Sequence, residues 1–169
     1  MQAELILDRG VLARRWLELC ASANSPAYFE LNQFGEMIES PQPSVRERRI
    51  AHMVSRELEA QLGPEAAVEI SVMTDQGVRV PDVIWMRPSR WSRWQEVTPL
   101  PFAPDLCVEV LSGRDTRAGV EIKKTAYLGA GATEVIVISA EGRIEFFGTE
   151  GRRKKSALGI AVYLPKDLT

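Results

Sequence analysis

The stretch DLCVEVLSGRDTRAGVEIKKTAYLGAGATEVIVIS (105–139) decides the fold class of this chain. Its first part, residues 105–111, is apolar and rich in β-branched side chains, and it predicts a strand. Residues 115–130 predict a helix that Gly131 ends, and residues 134–139 predict a buried strand. This alternation indicates a fold in which helices pack on a β-sheet.

The sequence on either side of this stretch adds further elements. The predicted helices and strands lie at residues 8–21 (helix), 28–40 (hairpin), 44–62 (helix), 66–73, 78–86, 143–147 and 157–164 (strands). The second helix begins after Pro43-Ser44 and ends at Gly63-Pro64, and the turn 74–77 joins the two strands that follow. Residues 87–103 are rich in proline and predict a long surface connection.

These elements predict an α/β fold with a central mixed β-sheet flanked by helices. The length of 169 residues suits one domain. Within it, we expect the helix and hairpin of residues 1–43 to pack on a core formed by residues 44–169.

Composition excludes several classes of protein. Hydrophobic residues are 45% and charged residues 26% of the chain, as in ordinary globular proteins. No apolar run is long enough to span a membrane, and the N-terminus does not resemble a signal peptide, so we expect a cytosolic protein with no membrane partner. The chain has two cysteines, Cys20 and Cys107, and one histidine, His52, which disfavours both a zinc site and a Ser-His-Asp or Cys-His hydrolase.

The formal net charge of −2 conceals an asymmetry between the two halves of the chain. Residues 1–84 hold 8 basic and 13 acidic side chains (−5), and residues 85–169 hold 13 and 10 (+3). A basic face on the second half would suit an anionic partner such as nucleic acid. On charge alone, scattered solvated charge is the simpler interpretation.

Two acids lie in stretches that otherwise resemble buried strands. Alternation along VRVPDVIWM (78–86) places Asp82 in one row with Val78, Val80, Ile84 and Met86, and Pro81 cannot donate a ladder hydrogen bond. Glu109 lies in DLCVEVLS (105–112), on the face opposite the apolar row of Leu106, Val108 and Val110. An acid in such a place needs a cation, a metal or hydrogen-bond donors.

The pair Lys123-Lys124 lies on a helix face with Val120 and Tyr127, directed toward the sheet. Two carboxylates from adjacent strands form a hard oxygen site that suits Mg²⁺ or Mn²⁺. A nearby lysine can position or deprotonate a water, so the set fits metal-assisted phosphodiester hydrolysis. The alternative is a structural role, with both acids in salt bridges to arginines such as Arg79, Arg114 or Arg117.

Taken together, these residues resemble a known family. Pro81-Asp82, followed by Glu109 in an apolar strand, is similar to the PD-(D/E)XK nuclease superfamily. More closely, the chain resembles the Uma family of putative restriction endonucleases over residues 28–147. The matching segments are YFELNQFGEMIESPQPS (28–44), VRVPDVIWM (78–86), APDLCVEVLS (103–112) and KKTAYLGAGATEVIVIS (123–139).

The resemblance implies a restriction-endonuclease-like fold and a metal-dependent endonuclease that acts on nucleic acid, with DNA as the expected substrate. Asp82, Glu109 and the backbone carbonyl of Val110 would bind Mg²⁺ or Mn²⁺. The usual superfamily lysine would stand two residues after Glu109, where this chain has Leu111. The lysine is instead expected from the following helix, at Lys123, with Lys124 as the alternative.

The resemblance and the neighbouring sequence suggest further site residues. Glu47 stands where the superfamily often has another metal-binding group, although it can equally be a surface charge on its helix. Ser112 is expected to order the turn after its strand and to contact substrate. Arg90 and Arg93, with Trp91 and Trp94, can contact nucleic acid or cover the sheet.

Two broader expectations complete the sequence-based account. Cleavage of both strands of a duplex needs two active sites, so we expect a homodimer. The alternative function is a catalytically inactive nuclease-fold protein that serves as a binding or assembly module. No dinucleotide-binding, P-loop or nucleophile-elbow motif supports another α/β enzyme.

Overall fold

A computed structural model describes residues 6–64 and 66–169, and within them the chain forms two β-sheets and four α-helices. The helices are α1 (Arg9–Ala21), α2 (Val45–Leu62), α3 (Pro88–Trp94) and α4 (Arg117–Gly129). The strands are β1 (Phe29–Leu31), β2 (Met37–Glu39), β3 (Ala66–Val68), β4 (Val72–Thr74), β5 (Gly77–Arg79), β6 (Val83–Trp85), β7 (Leu106–Val110), β8 (Glu134–Ile138), β9 (Ile144–Gly148) and β10 (Gly151–Arg153).

The larger sheet has six strands in the order β10-β9-β8-β7-β6-β3. Strands β7 and β8 are parallel and are joined through α4, while the other pairs are antiparallel. One face packs against α2 through a core that includes Ile50, Val108 and Ile136. The other face packs against α4 around Tyr127 and Cys107. The predicted mixed sheet with helices on both sides is therefore confirmed.

The smaller sheet has four antiparallel strands in the order β2-β1-β5-β4. The predicted hairpin supplies β1 and β2, and Leu31 of β1 pairs with Val78 of β5. Helix α1 covers this sheet with Leu12 and Trp16. The sheet thus combines the hairpin with two strands from the middle of the chain.

The prediction of continuous strands over 66–73 and 78–86 is wrong. Each stretch forms two short strands that belong to different sheets, β3 and β4 in the first case and β5 and β6 in the second. The first break follows from Glu69, whose φ of 54° turns the chain out of the extended conformation. The second break occurs at Val80-Pro81-Asp82, where Pro81 has no N–H for a ladder. Asp82 therefore does not belong to an alternating strand face but lies between the two sheets.

Two other predicted segments need correction, and one strand was not predicted. Residues 87–103, predicted as a long surface connection, contain the helix α3 with Pro88 at its first turn. Residues 157–164 form no strand, yet Ile160 and Val162 are buried against the α2 side of the large sheet. Strand β10 escaped prediction because its sequence, GRR, has no apolar residue to mark it.

The remaining helices and strands are confirmed, and the helix caps explain their boundaries. Ser44 and Glu47 form a reciprocal capping box at the start of α2. The side chain of Thr116 accepts a hydrogen bond from the N–H of Gly119 at the start of α4. Within residues 6–64 and 66–169, no helix is both long enough and apolar enough to cross a membrane.

Candidate active site

Asp82 is fixed at the break between the two sheets, beside strand β7. The N–H of Val110 donates to Asp82 Oδ2 at 2.6 Å, and the N–H of Asp82 donates to the carbonyl oxygen of Val108 at 3.0 Å. The backbone bond extends the pairing of β6 with β7 to the residue before β6 begins, and the bond to the Asp82 side chain adds a second contact with β7. They bring the carboxylate of Asp82 to the end of β7 that carries Glu109.

Glu109 is buried on the face of β7 that packs against α4. The hydroxyl of Tyr127 donates to its Oε1 at 2.6 Å, and Lys123 Nζ donates to its Oε2 at 3.0 Å. Lys123 and Tyr127 stand one helical turn apart, so both project from the same face of α4. Helix α4 thus supplies a hydrogen-bond donor to each carboxylate oxygen of Glu109.

Glu30 is a site residue that the sequence-based prediction missed. It lies in β1 of the smaller sheet, and its Oε1 is 3.3 Å from Lys123 Nζ. The Val80 N–H donates to the same oxygen at 2.8 Å, and Arg79 pairs with Oε2 at 3.2 Å. An acid between two apolar residues in FEL (29–31) is the same signal that identified Asp82 and Glu109. Applied to the hairpin, it would have found Glu30.

The buried acids have raised pKa values. Burial raises the pKa of Asp82 to about 6, although the Val110 N–H and the charge of Lys123 act in the opposite direction. Burial also raises the pKa of Glu109 to about 8, with Lys123 opposing the shift and Asp82 and Glu30 adding to it. These acids are costly to ionise without a further positive charge nearby.

The basic and phenolic groups have raised pKa values too. Burial lowers the pKa of Lys123, but the charges of Glu109, Glu30 and Asp82 outweigh burial and hold it above its usual value. Burial raises the pKa of Tyr127 well above its usual value, and the charge of Glu109 reinforces this. At neutral pH, Lys123 is therefore a cation and Tyr127 a neutral hydrogen-bond donor.

The site opens into a cleft of about 560 Å³ at the junction of the two sheets. Asp82, Glu109 and Lys123 lie along this cleft together with Glu30 and Glu47. Aromatic and apolar side chains from α1 and the hairpin, including Trp16, Tyr28 and Ile38, form part of its wall. A polar centre within a concave, partly apolar site is the usual setting for binding and catalysis.

The donor set fits a divalent cation. Three carboxylates (Glu30, Asp82 and Glu109) face two cations (Arg79 and Lys123), so full ionisation leaves an excess of one negative charge. No residue in the part of the chain that the structure describes donates a hydrogen bond to Asp82 Oδ1, and that atom is not sealed from solvent. No three His, Cys, Asp or Glu side chains among the described residues come together as a metal cage. A cation held by two carboxylates would therefore keep water ligands, as Mg²⁺ usually does.

Comparison with known proteins identifies the family. The sequence model of the Uma2 family, described as "Putative restriction endonuclease", matches residues 15–158. The chain belongs to the Uma2 family. No curated protein matches it significantly.

A solved structure has the same fold. It is the crystal structure of a putative nuclease belonging to DUF820 from Anabaena variabilis, with a TM-score of 0.69 and 18% sequence identity. The match covers 89% of this chain and 87% of that one. Since the two sequences differ so widely, the likeness establishes the fold of this Uma2 chain rather than its activity.

Two further residues predicted for the site do line the cleft. Glu47 accepts from the Ser44 N–H at 2.8 Å in the capping box, and its charge contributes to the raised pKa of Asp82. Ser112 Oγ donates to Asp115 Oδ2 at 2.9 Å and accepts from the Arg114 N–H at 3.1 Å. Ser112 thus orders the turn after β7, as the sequence predicted.

Three other predicted residues are not brought to the acids. Lys124 Nζ pairs with Glu121 at 2.6 Å and lies 3.7 Å from the centre of the Phe147 ring. Arg90 pairs with Asp105, which precedes β7 at the end away from Glu109, and it also contacts the Phe102 ring. Arg93 stacks on the ring of Trp94.

Trp91 and Trp94 pack against the core on the α4 side of the large sheet. Of the two interpretations of this segment, covering the sheet is therefore the one that the structure supports.

Proposed function

We propose that this Uma2-family protein is a metal-dependent endonuclease that hydrolyses phosphodiester bonds in DNA. One observation carries the proposal. Asp82, Glu109 and Lys123 come from three separate parts of the fold and line one cleft, in which Lys123 Nζ lies 3.0 Å from Glu109 Oε2. The three groups interact strongly enough to shift one another's pKa values. Perturbed acids that converge in a cleft are typical of catalytic sites.

In this proposal, Asp82, Glu109 and the main-chain carbonyl of Val110 hold Mg²⁺ or Mn²⁺. The bound cation would supply positive charge next to the scissile phosphate, where negative charge develops during hydrolysis. The raised pKa values of Asp82 and Glu109 support the assignment. They mean that both acids are costly to ionise in the metal-free site, and a bound cation would favour their ionised forms. Glu47 adds a negative charge near Asp82 and is proposed to act through a bridging water.

Lys123 is proposed to orient the attacking water by donating a hydrogen bond. An ammonium group has three N–H donors. Lys123 Nζ donates to Glu109 Oε2, and Glu30 Oε1 lies 3.3 Å away as an ion-pair partner. Donor capacity remains for a water or a phosphate oxygen in the cleft, since the Lys123 side chain is 26% exposed. Its raised pKa keeps Lys123 protonated, so it is a donor and an electrostatic partner rather than a general base.

The substrate, the assembly and the location stay predictions. DNA is the expected substrate by family membership. A homodimer would supply the two active sites that cleavage of both strands requires. Cytosolic location rests on the sequence alone.

The test is a cleavage assay on supercoiled and linear DNA with Mg²⁺, with Mn²⁺ and with EDTA. We expect cleavage that requires the metal and that falls by at least about 100-fold in Asp82→Asn, Glu109→Gln and Lys123→Met. The matched control is Lys124→Met, because this neighbouring lysine does not contact the acids. Metal binding without cleavage of any DNA would instead favour the inactive binding module. Cleavage that persists in EDTA or in Asp82→Asn would contradict the proposal.

A further inference from the structure

Glu30 connects the smaller sheet to the candidate active site. Its side chain is only 5% exposed, and its Oε1 lies 3.3 Å from the ammonium of Lys123. Lys123 therefore lies between two carboxylates that come from different sheets, Glu30 and Glu109. Such an arrangement fixes an otherwise flexible lysine side chain at both sides of its charged group.

Glu30 is itself held firmly by its neighbours. Arg79 pairs with Oε2, and the N–H of Val80 donates to Oε1. The Arg79 guanidinium also donates to the carbonyl oxygen of Gln76, which fixes it against the β4–β5 turn. The Glu30 carboxylate thus has a defined position that does not depend on Lys123.

The contacts of Glu30 also reach the segment that carries Asp82. Val80 stands two residues before Asp82, in the break between β5 and β6. The buried carboxylate of Glu30 therefore contacts both Lys123 and the backbone two residues before Asp82. Glu30 lines the cleft but is not among the proposed metal ligands.

We propose that Glu30 is a positioning residue for Lys123. It gives the Lys123 ammonium a second, fixed ion-pair partner, so that its remaining donor capacity can reach a water or a phosphate oxygen in the cleft. Lys123 then does not depend on Glu109 alone for its position. This inference rests on the proposed nuclease function for its kinetic consequence, but the restraint on Lys123 can be measured without any substrate.

The first measurement is the ¹H–¹⁵N spectrum of the lysine side-chain ammonium groups, recorded at low temperature and mildly acidic pH with EDTA. An ammonium held in place by buried partners exchanges slowly with water and gives a resolved signal, which Lys123→Met identifies by its loss. We expect the signal to broaden or vanish in Glu30→Gln, where the amide still accepts from Val80 but carries no charge. The matched control is Glu121→Gln, which removes the carboxylate partner of Lys124 on the same helix. An unchanged Lys123 signal in Glu30→Gln would overturn the proposal.

The second measurement is steady-state cleavage with saturating Mg²⁺. We expect Glu30→Gln to lower kcat by at least about tenfold with KM changed by less than about twofold, because orientation rather than substrate binding is lost. Glu30→Asp retains the charge and should recover part of kcat, and it serves as the test variant if Glu30→Gln does not fold. A kcat equal to wild type in Glu30→Gln overturns the catalytic role. If wild type cleaves no DNA, the proposed function fails, while the ammonium spectrum still decides whether Glu30 positions Lys123.

Discussion

Glu109 is an acid in the middle of a buried strand, and its surroundings determine how the site responds to pH. Tyr127 and Lys123 satisfy both of its oxygens, yet burial among other carboxylates still raises its pKa to about 8. Asp82 next to it has a pKa of about 6. Both values lie above the ordinary values of 4.5 and 3.8 for these acids.

These shifts predict that the metal-free protein loses stability as pH rises. Between the unfolded and folded pKa values the folded state binds more protons than the unfolded chain, so the free energy of unfolding falls as pH rises. For Glu109 the window runs from about pH 4.5 to about pH 8. Urea unfolding in EDTA should show this fall, and Glu109→Gln should reduce it. An equal slope in Glu109→Gln would show that Glu109 is not the group responsible.

Glu30 shows why residue-level prediction from sequence was incomplete. Asp82 and Glu109 stood out because each interrupts an apolar pattern and belongs to a recognisable motif. Glu30 also interrupts an apolar triplet, but its partners Arg79 and Lys123 are 49 and 93 positions away in the sequence. The pairing of β1 with β5 brings Arg79 to Glu30, and Lys123 reaches Glu30 from helix α4. The choice of Lys123 over Lys124 came from the resemblance, and the contacts to Glu109 and Glu30 favour it.

At the level of elements, the three longer helices and the central strands of the large sheet were predictable because their signals are local. Caps and periodicity define α1, α2 and α4, and apolar runs define β7 and β8. The crossing of the chain between two sheets was not predictable in this way. It depends on backbone breaks near Glu69 and Pro81 that a continuous apolar pattern conceals.

Substitutions in helix α2 can separate the role of Glu47 in helix capping from its proposed role in metal binding. Its capping box uses the Ser44 hydroxyl and the Glu47 carboxylate. We expect Ser44→Ala to lower the free energy of unfolding by ~1 kcal/mol, because the N–H of Glu47 loses its acceptor. Glu47→Gln should have a much smaller effect, since glutamine also completes a capping box.

Urea unfolding of both variants provides the measurement, with Mn²⁺ affinity recorded alongside. Weaker Mn²⁺ binding in Glu47→Gln with unchanged stability would assign Glu47 to the metal site. A loss of stability in Glu47→Gln as large as in Ser44→Ala would show that the Glu47 charge matters to the fold itself.

At the scale of the whole molecule, the site depends on both sheets. Glu30 comes from the smaller sheet, Glu109 from the larger one, and Asp82 from the link between them. The cleft lies at this junction, so the contact between Glu30 and Lys123 requires both sheets. The N-terminal hairpin thus contributes a carboxylate to a candidate site whose other groups lie further along the chain.

The fold also affects how the charge asymmetry between the two halves of the sequence is interpreted. Several basic residues of the second half are paired with acids of the same half: Arg153 with Glu134, Lys124 with Glu121, and Arg87 and Arg90 together with Asp105. These acids are already counted in the surplus of +3, so the pairs show which basic side chains are engaged within the fold and leave the surplus unchanged. The three acids near Lys123, which are Glu30, Asp82 and Glu109, are the feature with a chemical consequence, because their full ionisation leaves one excess negative charge that a bound cation would balance.

Calorimetric titration of Mn²⁺ into the full chain tests the central claim most directly, since it requires no knowledge of the substrate. We predict one binding site per chain in wild type and in Lys124→Met, with affinity reduced at least about tenfold in Asp82→Asn and in Glu109→Gln. Wild type that binds no Mn²⁺ or Mg²⁺, or affinity that is unchanged in Asp82→Asn, would contradict the account.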